Sequence, residues 1–333
     1  MNIGIFGLGF MGAAHMQAYA KLANATVAAV CSRNEQALSG DLSAIQGNIA
    51  GTAARYDFSS VRKYRDWHDL AADGGIDAVD ICAPTDLHAP MALAALAAGK
   101  HVFCEKPMAL STADCDRMMD AAKRSHRVLM IGHVLRFWPE YEVLADFVKS
   151  AQYGRVLSAT FTRSCGLPDW SAWLPVEERS GGAVVDLLIH DIDQALALFG
   201  VPERVSAKRL GSTDAVTASL LYSGGPEVRV QGGWFPPGTP LSMGFQVRAE
   251  RAELRFGPDG LSLNASGSSS NLSRERKQPE EIYRKELAYF MNCWETGASP
   301  TRCPPEESAM ALKLALLIKE SRAKEGEQIK CSV

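Results

Sequence analysis

The fold of the first part of the chain follows from its opening residues, Asn2-Ile3-Gly4-Ile5-Phe6-Gly7-Leu8-Gly9-Phe10-Met11-Gly12. Apolar residues run up to Phe6, as in a buried strand, and three glycines then follow in the spacing G-x-G-x-x-G, before a helix expected to begin near Ala13. The first glycine permits a tight turn, the second lets a pyrophosphate approach the backbone, and the third lets helix and strand pack closely. The N-terminus of the helix would face the phosphates. The stretch therefore predicts a dinucleotide-binding turn with cofactor contacts from Gly7, Gly9, Phe10, Met11 and Gly12.

Beyond this turn, short apolar strands alternate with alanine-rich helices up to about residue 125. Strands are predicted at 26–31, 78–82 and 101–104, with a last parallel strand at 128–132. A helix at 90–99 has proline in its first turn and glycine at its end, and another begins at Ser111 as a cap. Such alternation is typical of a parallel sheet with crossover helices, so we predict an α/β Rossmann domain over residues 1–125.

The pattern changes after about residue 155. Ala218-Ser219-Leu220-Leu221-Tyr222 and Glu227-Val228-Arg229-Val230-Gln231 flank the turn Ser223-Gly224-Gly225-Pro226, which predicts an antiparallel hairpin. A surface loop is predicted at 265–279 and a final helix at 306–324. We therefore predict an α+β domain over residues 126–333, with a largely antiparallel open sheet that binds substrate and forms a homodimer or homotetramer.

Composition narrows the class of partner. The net charge is -3 with both signs interspersed, and no apolar run reaches the roughly 18 residues of a membrane helix. The chain opens on a strand without a leader pattern. Its eight cysteines are scattered without C-x-x-C or metal-ligand spacing. We expect a cytoplasmic protein with a small-molecule partner, and no metal, nucleic acid or membrane.

The end of the second predicted strand bears on cofactor choice. An acidic residue about 20 residues after the glycines usually binds the ribose hydroxyls of NAD. Here the stretch reads Val30-Cys31-Ser32-Arg33-Asn34, without a carboxylate. Ser32 beside Arg33 suits the 2'-phosphate of NADP, because a guanidinium pairs with phosphate in a bidentate way. NADP is therefore favoured over NAD, and the alternative is that Arg33 is an ordinary surface residue.

Cys104-Glu105-Lys106-Pro107 falls at the carboxyl end of a predicted strand, where open α/β sheets bind their ligands. Together with the glycine turn, this stretch resembles the Gfo/Idh/MocA family, which includes glucose-fructose oxidoreductase and inositol dehydrogenase. The resemblance covers nearly the whole chain and includes three further stretches, Pro84-Thr85-Asp86-Leu87-His88, Gly132-His133-Val134-Leu135-Arg136-Phe137-Trp138-Pro139 and Gly181-Gly182-Ala183-Val184-Val185-Asp186-Leu187-Leu188-Ile189-His190-Asp191-Ile192-Asp193.

The resemblance implies a catalytic lysine, aspartate and histidine, and the matching positions are Lys106, Asp186 and His190. A single helix is predicted over 183–199, which places Asp186 and His190 one turn apart on one face. The family also implies a cis Lys106-Pro107 bond. Many relatives have asparagine where this chain has Asp86. The predicted cofactor contacts outside the glycine turn are Ser32, Arg33, Pro84, Thr85, His88, Glu105 and Lys106.

Aromatic rings and an arginine suit the binding of a sugar or an acidic sugar. The predicted substrate contacts are Lys106, Arg136, Trp170, Trp173, Asp186, His190 and Tyr283. Packing is the alternative role for the arginine and the three aromatic residues. The function implied by the resemblance is hydride transfer between a nicotinamide and a carbinol of a sugar, inositol, sugar derivative or dihydrodiol. Two alternatives are a non-catalytic dinucleotide-binding regulator and an NAD-dependent glycosidase that uses the cofactor transiently.

Overall fold

The computed structural model describes residues 1–47, 54–265, 267–272 and 278–331. It divides into two compact units, Met1–Val134 with Lys277–Ala309, and Leu135–Arg276 with Met310–Val333. The chain therefore returns to the first unit after building most of the second. The predicted boundary at residue 125 stays a prediction, although the structure divides the chain after Val134. No helix in the described part of the chain is long and apolar enough to cross a membrane.

The first unit contains a parallel sheet of six strands in the order β3-β2-β1-β4-β5-β6. The order reverses between β1 and β4, and open sheets bind ligands outside the carboxyl ends of the strands at such a point. The strands are β1 Asn2–Phe6, β2 Thr26–Cys31, β3 Arg62–Tyr64, β4 Ala78–Ile81, β5 His101–Glu105 and β6 Leu129–Gly132. The predicted parallel sheet is confirmed, while the short strand β3 was not predicted.

Helices join these strands as crossovers. They are α1 Phe10–Tyr19, α2 Glu35–Leu38, α3 Trp67–Ala72, α4 His88–Ala97 and α5 Thr112–Ser125. The predicted cap of α5 is confirmed, because the Ser111 side chain accepts a hydrogen bond from the Asp114 amide at 3.1 Å. Gly99 follows α4 with φ of +74°, a conformation that favours glycine at a helix end.

The second unit contains a sheet of nine strands in the order β14-β13-β12-β11-β7-β10-β9-β8-β15. All pairs are antiparallel except β7 with β10, so the largely antiparallel sheet is confirmed. The strands are β7 Val156–Gly166, β8 Arg204–Arg209, β9 Asp214–Leu221, β10 Glu227–Phe235, β11 Ser242–Ala249, β12 Ala252–Gly257, β13 Gly260–Ala265, β14 Ser268–Asn271 and β15 Ile329–Lys330. The predicted hairpin is the β9–β10 pair.

The predicted loop at 265–279 is wrong in part, because β14 pairs with β13 inside it. Four serine or asparagine residues form β14, and polar composition alone conceals a strand whose side chains are exposed. Residues 266 and 273–277 of that loop lie outside the described residues.

In the second unit, one helix precedes β7, namely α6 Pro139–Lys149. Three helices follow β7, namely α7 Glu177–Ser180, α8 Gly182–Asp186 and α9 Ile189–Phe199. Helices α8 and α9 pack against the central strands of the sheet. The last two helices of the chain are α10 Pro279–Thr296, which packs on α1, and α11 Pro305–Ala323. The final helix was predicted within one residue at each end.

Candidate functional site

The three glycines of the first turn have three different surroundings. Gly7 has φ of +99°, and a Cβ there would lie 2.5 Å from the Cys82 carbonyl oxygen. A Cβ on Gly12 would collide with the Gly7 carbonyl oxygen. Gly9 caps α1 without a side-chain hydrogen bond, and a Cβ there would meet no protein atom within 4 Å. The turn thus leaves open space next to helix amides, which fits the pyrophosphate of a dinucleotide.

Alanine substitutions should separate binding from folding at this turn. Gly9→Ala fills space that no protein atom occupies, so we expect unchanged thermal stability but a dinucleotide Kd raised by about tenfold or more, since tenfold is about 1.4 kcal/mol. Gly12→Ala collides with backbone and should instead lower the melting temperature. Fluorescence titration and thermal unfolding measure the two effects. Wild-type affinity in Gly9→Ala would exclude this turn as the phosphate site.

At the end of β2, the polar residues have partners within the unit. The Ser32 hydroxyl accepts a hydrogen bond from the Asn34 amide at 3.1 Å, and the Asn34 side chain caps α2. Arg33 is exposed. The nearest carboxylate along the chain, Glu35, accepts two hydrogen bonds from Arg65 at 2.6 and 2.8 Å. Because Arg33 is exposed, a phosphate group could approach its guanidinium.

The turn that carries Lys106 is held from both sides. Lys106-Pro107 is a cis peptide bond, as the resemblance implies. Glu105 Oε2 accepts a hydrogen bond from the Lys106 amide at 3.2 Å. His88, buried at the start of α4, has Nδ1 2.7 Å from the Pro107 carbonyl oxygen and Nε2 2.9 Å from that of Ala83. Burial lowers the pKa of His88 despite these carbonyls, so the neutral ring donates to one of them at a time.

Within residues 101–109, Lys106 is the one side chain that retains appreciable exposure. The predicted contacts Thr85 and His88 are buried, whereas Pro84 is partly exposed at the start of the short 3₁₀ helix Thr85–Leu87. The structure therefore places His88 behind the lysine turn rather than on its surface, where it supports the Pro107 carbonyl.

A buried polar cluster next to this turn was missed by sequence reasoning. His15 of α1 has Nδ1 2.8 Å from Asp80 Oδ2 and Nε2 3.3 Å from Glu105 Oε1. The Cys82 thiol donates to Asp80 Oδ1 at 3.3 Å. Among the described residues, His15, Asp80 and Cys82 form one group of metal-ligand types within 4.8 Å. The sequence signal was an aspartate inside the otherwise apolar strand Ala78-Val79-Asp80-Ile81.

In the second unit, Asp186 and His190 lie on either side of a helix break. The predicted single helix over 183–199 is wrong, because α8 ends at Asp186 and α9 begins at Ile189. The Leu187 and Leu188 amides both donate to the Ala183 carbonyl oxygen at 2.9 Å, which interrupts the regular ladder. From residue 181 to 196 every side chain is buried except those of Asp186 and His190. These two polar side chains are thus partly exposed in an otherwise buried segment.

Two buried ion pairs fix α9 in place. Arg163 of β7 donates to both oxygens of Asp191 at 2.7 and 3.2 Å. Arg136 donates to both oxygens of Asp193 at 2.9 and 2.6 Å, and its side chain is 8% exposed. Arg136 was predicted to bind substrate, but its engaged guanidinium favours a structural role. Bidentate pairs of this kind define the orientation of the helix that carries His190.

The three predicted aromatic contacts have different surroundings. Trp170 is 37% exposed, which is compatible with binding a ligand. Trp173 packs against a buried cluster of Cys165, Leu174, Ala183, Leu187 and Trp234. Tyr283 lies on α10 in the first unit, buried, with its ring 5.6 Å from that of His15. Packing is therefore the role that the structure favours for Trp173 and Tyr283.

Comparison with known proteins places this geometry in a family. Residues 1–133 match the family model described as oxidoreductase family, NAD-binding Rossmann fold, and residues 141–255 match the GFO/IDH/MocA C-terminal domain. Levoglucosan dehydrogenase of Pseudarthrobacter phenanthrenivorans is 33% identical over 257 residues, which span 74% of this chain and 63% of that enzyme. D-xylose 1-dehydrogenase (NADP(+)) 2 of Haloferax volcanii is 27% identical over 334 residues, 96% of this chain and 97% of that enzyme.

A solved structure agrees over the whole length. Levoglucosan dehydrogenase in complex with NADH and levoglucosan has a TM-score of 0.84 and 22% identity, and the match covers 99% of each chain. At this identity the likeness shows the fold. The family assignment rests instead on the two family models, which match consecutive parts of this chain. The chain belongs to the Gfo/Idh/MocA family of oxidoreductases with an NAD-binding Rossmann domain.

Proposed function

We propose that this protein is an NAD(P)-dependent dehydrogenase or reductase that acts on a carbinol of a sugar, inositol, sugar derivative or dihydrodiol. The observation that carries the proposal is the selective exposure of Asp186 and His190 in a segment that is otherwise buried. Ionisable side chains that stay partly exposed in an otherwise buried segment are candidates for ligand binding rather than for packing. The open space at Gly9 and the named activities of the relatives support the same function.

Each proposed catalytic residue has one task. A bound nicotinamide would supply the hydride acceptor for oxidation of the carbinol carbon to a carbonyl. His190 removes the hydroxyl proton as general base. Lys106 donates a hydrogen bond to the oxygen as negative charge develops on it. Asp186 accepts a hydrogen bond from a neighbouring hydroxyl group. Gly7, Gly9 and the α1 amides would hold the pyrophosphate.

The cofactor is proposed to be NADP, with NAD as the alternative. The support is the exposed Arg33 at the end of β2 and the carboxylate of Glu35, which Arg65 already binds. Arg33→Ala should raise the Kd for NADPH by about tenfold, because hydrogen bonds to charged groups contribute about 1.5–3 kcal/mol, and should leave the Kd for NADH nearly unchanged. Isothermal titration with both dinucleotides checks this. Equal losses for the two would rule out a 2'-phosphate contact.

A cytoplasmic homodimer or homotetramer remains part of the proposal. The face of the nine-stranded sheet away from its core carries polar side chains such as Thr160, Thr162 and Gln246. Such a polar face is compatible with a water-containing interface between copies. Light scattering of the purified protein measures the number of subunits.

The experiment that tests the function follows nicotinamide reduction across aldoses, anhydrosugars, inositols, amino sugars and dihydrodiols. NADP and NAD are supplied separately, and Lys106→Ala serves as the inactive control. Turnover in wild type that disappears in the control supports the proposal. Dinucleotide binding without turnover on any substrate would favour a regulator, whereas glycoside cleavage without accumulated NADPH would favour transient use of the cofactor.

A further inference from the structure

A cluster of buried titratable side chains in the first unit has no task in the proposed reaction. Apart from Cys82, its members are less than a tenth exposed. Burying charged groups is costly unless they are paired and hydrogen-bonded, so a cluster of this size requires a physical explanation. It comprises His15 and Tyr19 of α1, Asp80 of β4, Cys82, Glu105 of β5, and Tyr283 and Glu286 of α10.

His15 lies between two carboxylates. Its Nδ1 is 2.8 Å from Asp80 Oδ2, and its Nε2 is 3.3 Å from Glu105 Oε1. Nε2 is at ion-pair distance from Glu105 but forms no hydrogen bond with it, and two carboxylates this close to the ring favour its charged form. Burial is the largest single effect and lowers the pKa of His15, but the interactions with Asp80 and Cys82 together raise the pKa well above 6.5. Geometry and charge therefore agree on an imidazolium.

The other titratable groups that face the ring leave it as the cation of the cluster. Tyr19, Cys82 and Tyr283 all have a pKa raised by burial and by the nearby carboxylates, so they are neutral. Burial, together with Glu105, also raises the pKa of Glu286 well above its ordinary value, which makes it a neutral acid. The carboxylates nearest to the His15 ring are then those of Asp80 and Glu105, and Arg302 partly opposes the rise in the pKa of Glu286.

Glu105 links this cluster to the lysine turn. One of its oxygens faces His15, and the other accepts the hydrogen bond from the Lys106 amide. A carboxylate held by a buried cation has one orientation, which fixes the peptide that follows it. His88 holds the Pro107 carbonyl from the other side. The backbone on both sides of Lys106 is thus anchored by buried histidines.

We propose that His15 is a positioning residue for Lys106, and that it acts as a buried imidazolium which orients Glu105. The proposal rests on the catalytic role of Lys106 in the proposed function. His15 itself contacts the glutamate and not the lysine amine. A metal ion held by His15, Asp80 and Cys82 is the competing explanation, but His15 Nδ1 already lies at hydrogen-bond distance from Asp80.

The protonation state can be measured without any catalytic assay. Histidine-selective ¹⁵N NMR of the wild-type protein with bound dinucleotide should show His15 as an imidazolium at about pH 7.5, where an ordinary histidine with a pKa near 6.5 is mostly neutral. Because the folded-state pKa is raised, this signal should persist until the pH rises through that value. A neutral His15 would overturn the proposal, and so would a stoichiometric metal ion found by elemental analysis.

Two variants test the path through the glutamate. Glu105→Gln keeps the size of the side chain and an acceptor for the Lys106 amide but removes its charge, and His15→Gln removes the cation. Each should lower kcat by about 10- to 100-fold with KM and dinucleotide Kd within about threefold of wild type, since small misplacements of a catalytic group have effects of this size. The Lys106 amine, with dinucleotide bound, should be acylated about threefold faster than in wild type, because its turn is less restrained.

Phe58→Leu is the matched control, because it removes a buried ring of the same unit that stacks on Tyr56 rather than on a member of the cluster. If both variants lower stability but keep the kcat and acylation rate of this control, His15 has only a structural role and the proposal is wrong. If His15→Gln does not fold, Glu105→Gln and the NMR measurement decide. If wild type turns over no substrate, the proposed function fails, while the NMR and acylation results still decide the role of His15.

Discussion

Replacing Lys106 with alanine is expected to lower kcat by about 10²- to 10⁴-fold, the range found when a group that assists proton transfer or stabilises a developing oxyanion is removed. The dinucleotide Kd should stay within about threefold of wild type, because the proposed phosphate contacts come from the glycine turn and the α1 amides. Steady-state kinetics and fluorescence titration measure the two quantities. The reason for so large an effect is that the positive charge would be needed only as the alkoxide forms.

Lys63→Ala supplies the comparison for this variant. Lys63 is an exposed lysine on β3 of the same unit, so its removal changes the net charge equally without touching the Glu-Lys-Pro turn. Thermal unfolding should be the same for both variants, since Lys106 retains exposure and its loss creates no buried cavity. Normal turnover in Lys106→Ala would show that Lys106 is not a catalytic residue.

The architecture of the first unit was predictable because each local pattern agrees with its neighbours. The glycine spacing indicated the turn after β1, where a Cβ on Gly7 or Gly12 would collide with backbone and one on Gly9 would meet no protein atom within 4 Å. The serine cap of α5 and the glycine after α4 likewise marked helix ends that the structure has. The return of α10 to the first unit could not be predicted, because an amphipathic helix shows that it has a partner but not which one.

The candidate site residues could be predicted from the sequence only where their polar side chains remain partly exposed. Lys106, Asp186 and His190 were predicted from their residue types and the family-like stretches, and all three are partly exposed within otherwise buried segments. Arg136 is likewise a charged residue in a family-like stretch, yet in the structure it forms an ion pair with Asp193. Long-range pairing of this kind has no local signature, since 57 residues separate the two side chains. The His15 cluster was missed for the same reason.

The helix break between α8 and α9 changes how the second half of the site is understood. A continuous helix would have set Asp186 and His190 by the regular rise of one turn. In the structure the turn at Leu187 and Leu188 sets their relative placement, and the Arg163 and Arg136 ion pairs hold the far side of the break. Substitutions in this buried turn should therefore affect catalysis as well as stability.

His190→Gln is expected to lower kcat by about 10²- to 10⁴-fold, because the variant lacks the proposed general base. Asp186→Asn should instead raise KM more than it lowers kcat, since a hydrogen bond to a hydroxyl that does not react contributes equally to the bound substrate and the transition state. Initial rates over a range of substrate concentrations separate the two patterns. His68→Gln, an exposed histidine of α3, is the control and should match wild type. If His190→Gln raised only KM and Asp186→Asn abolished turnover, the two assignments would have to be exchanged, and the aspartate at the end of α8 would be the base.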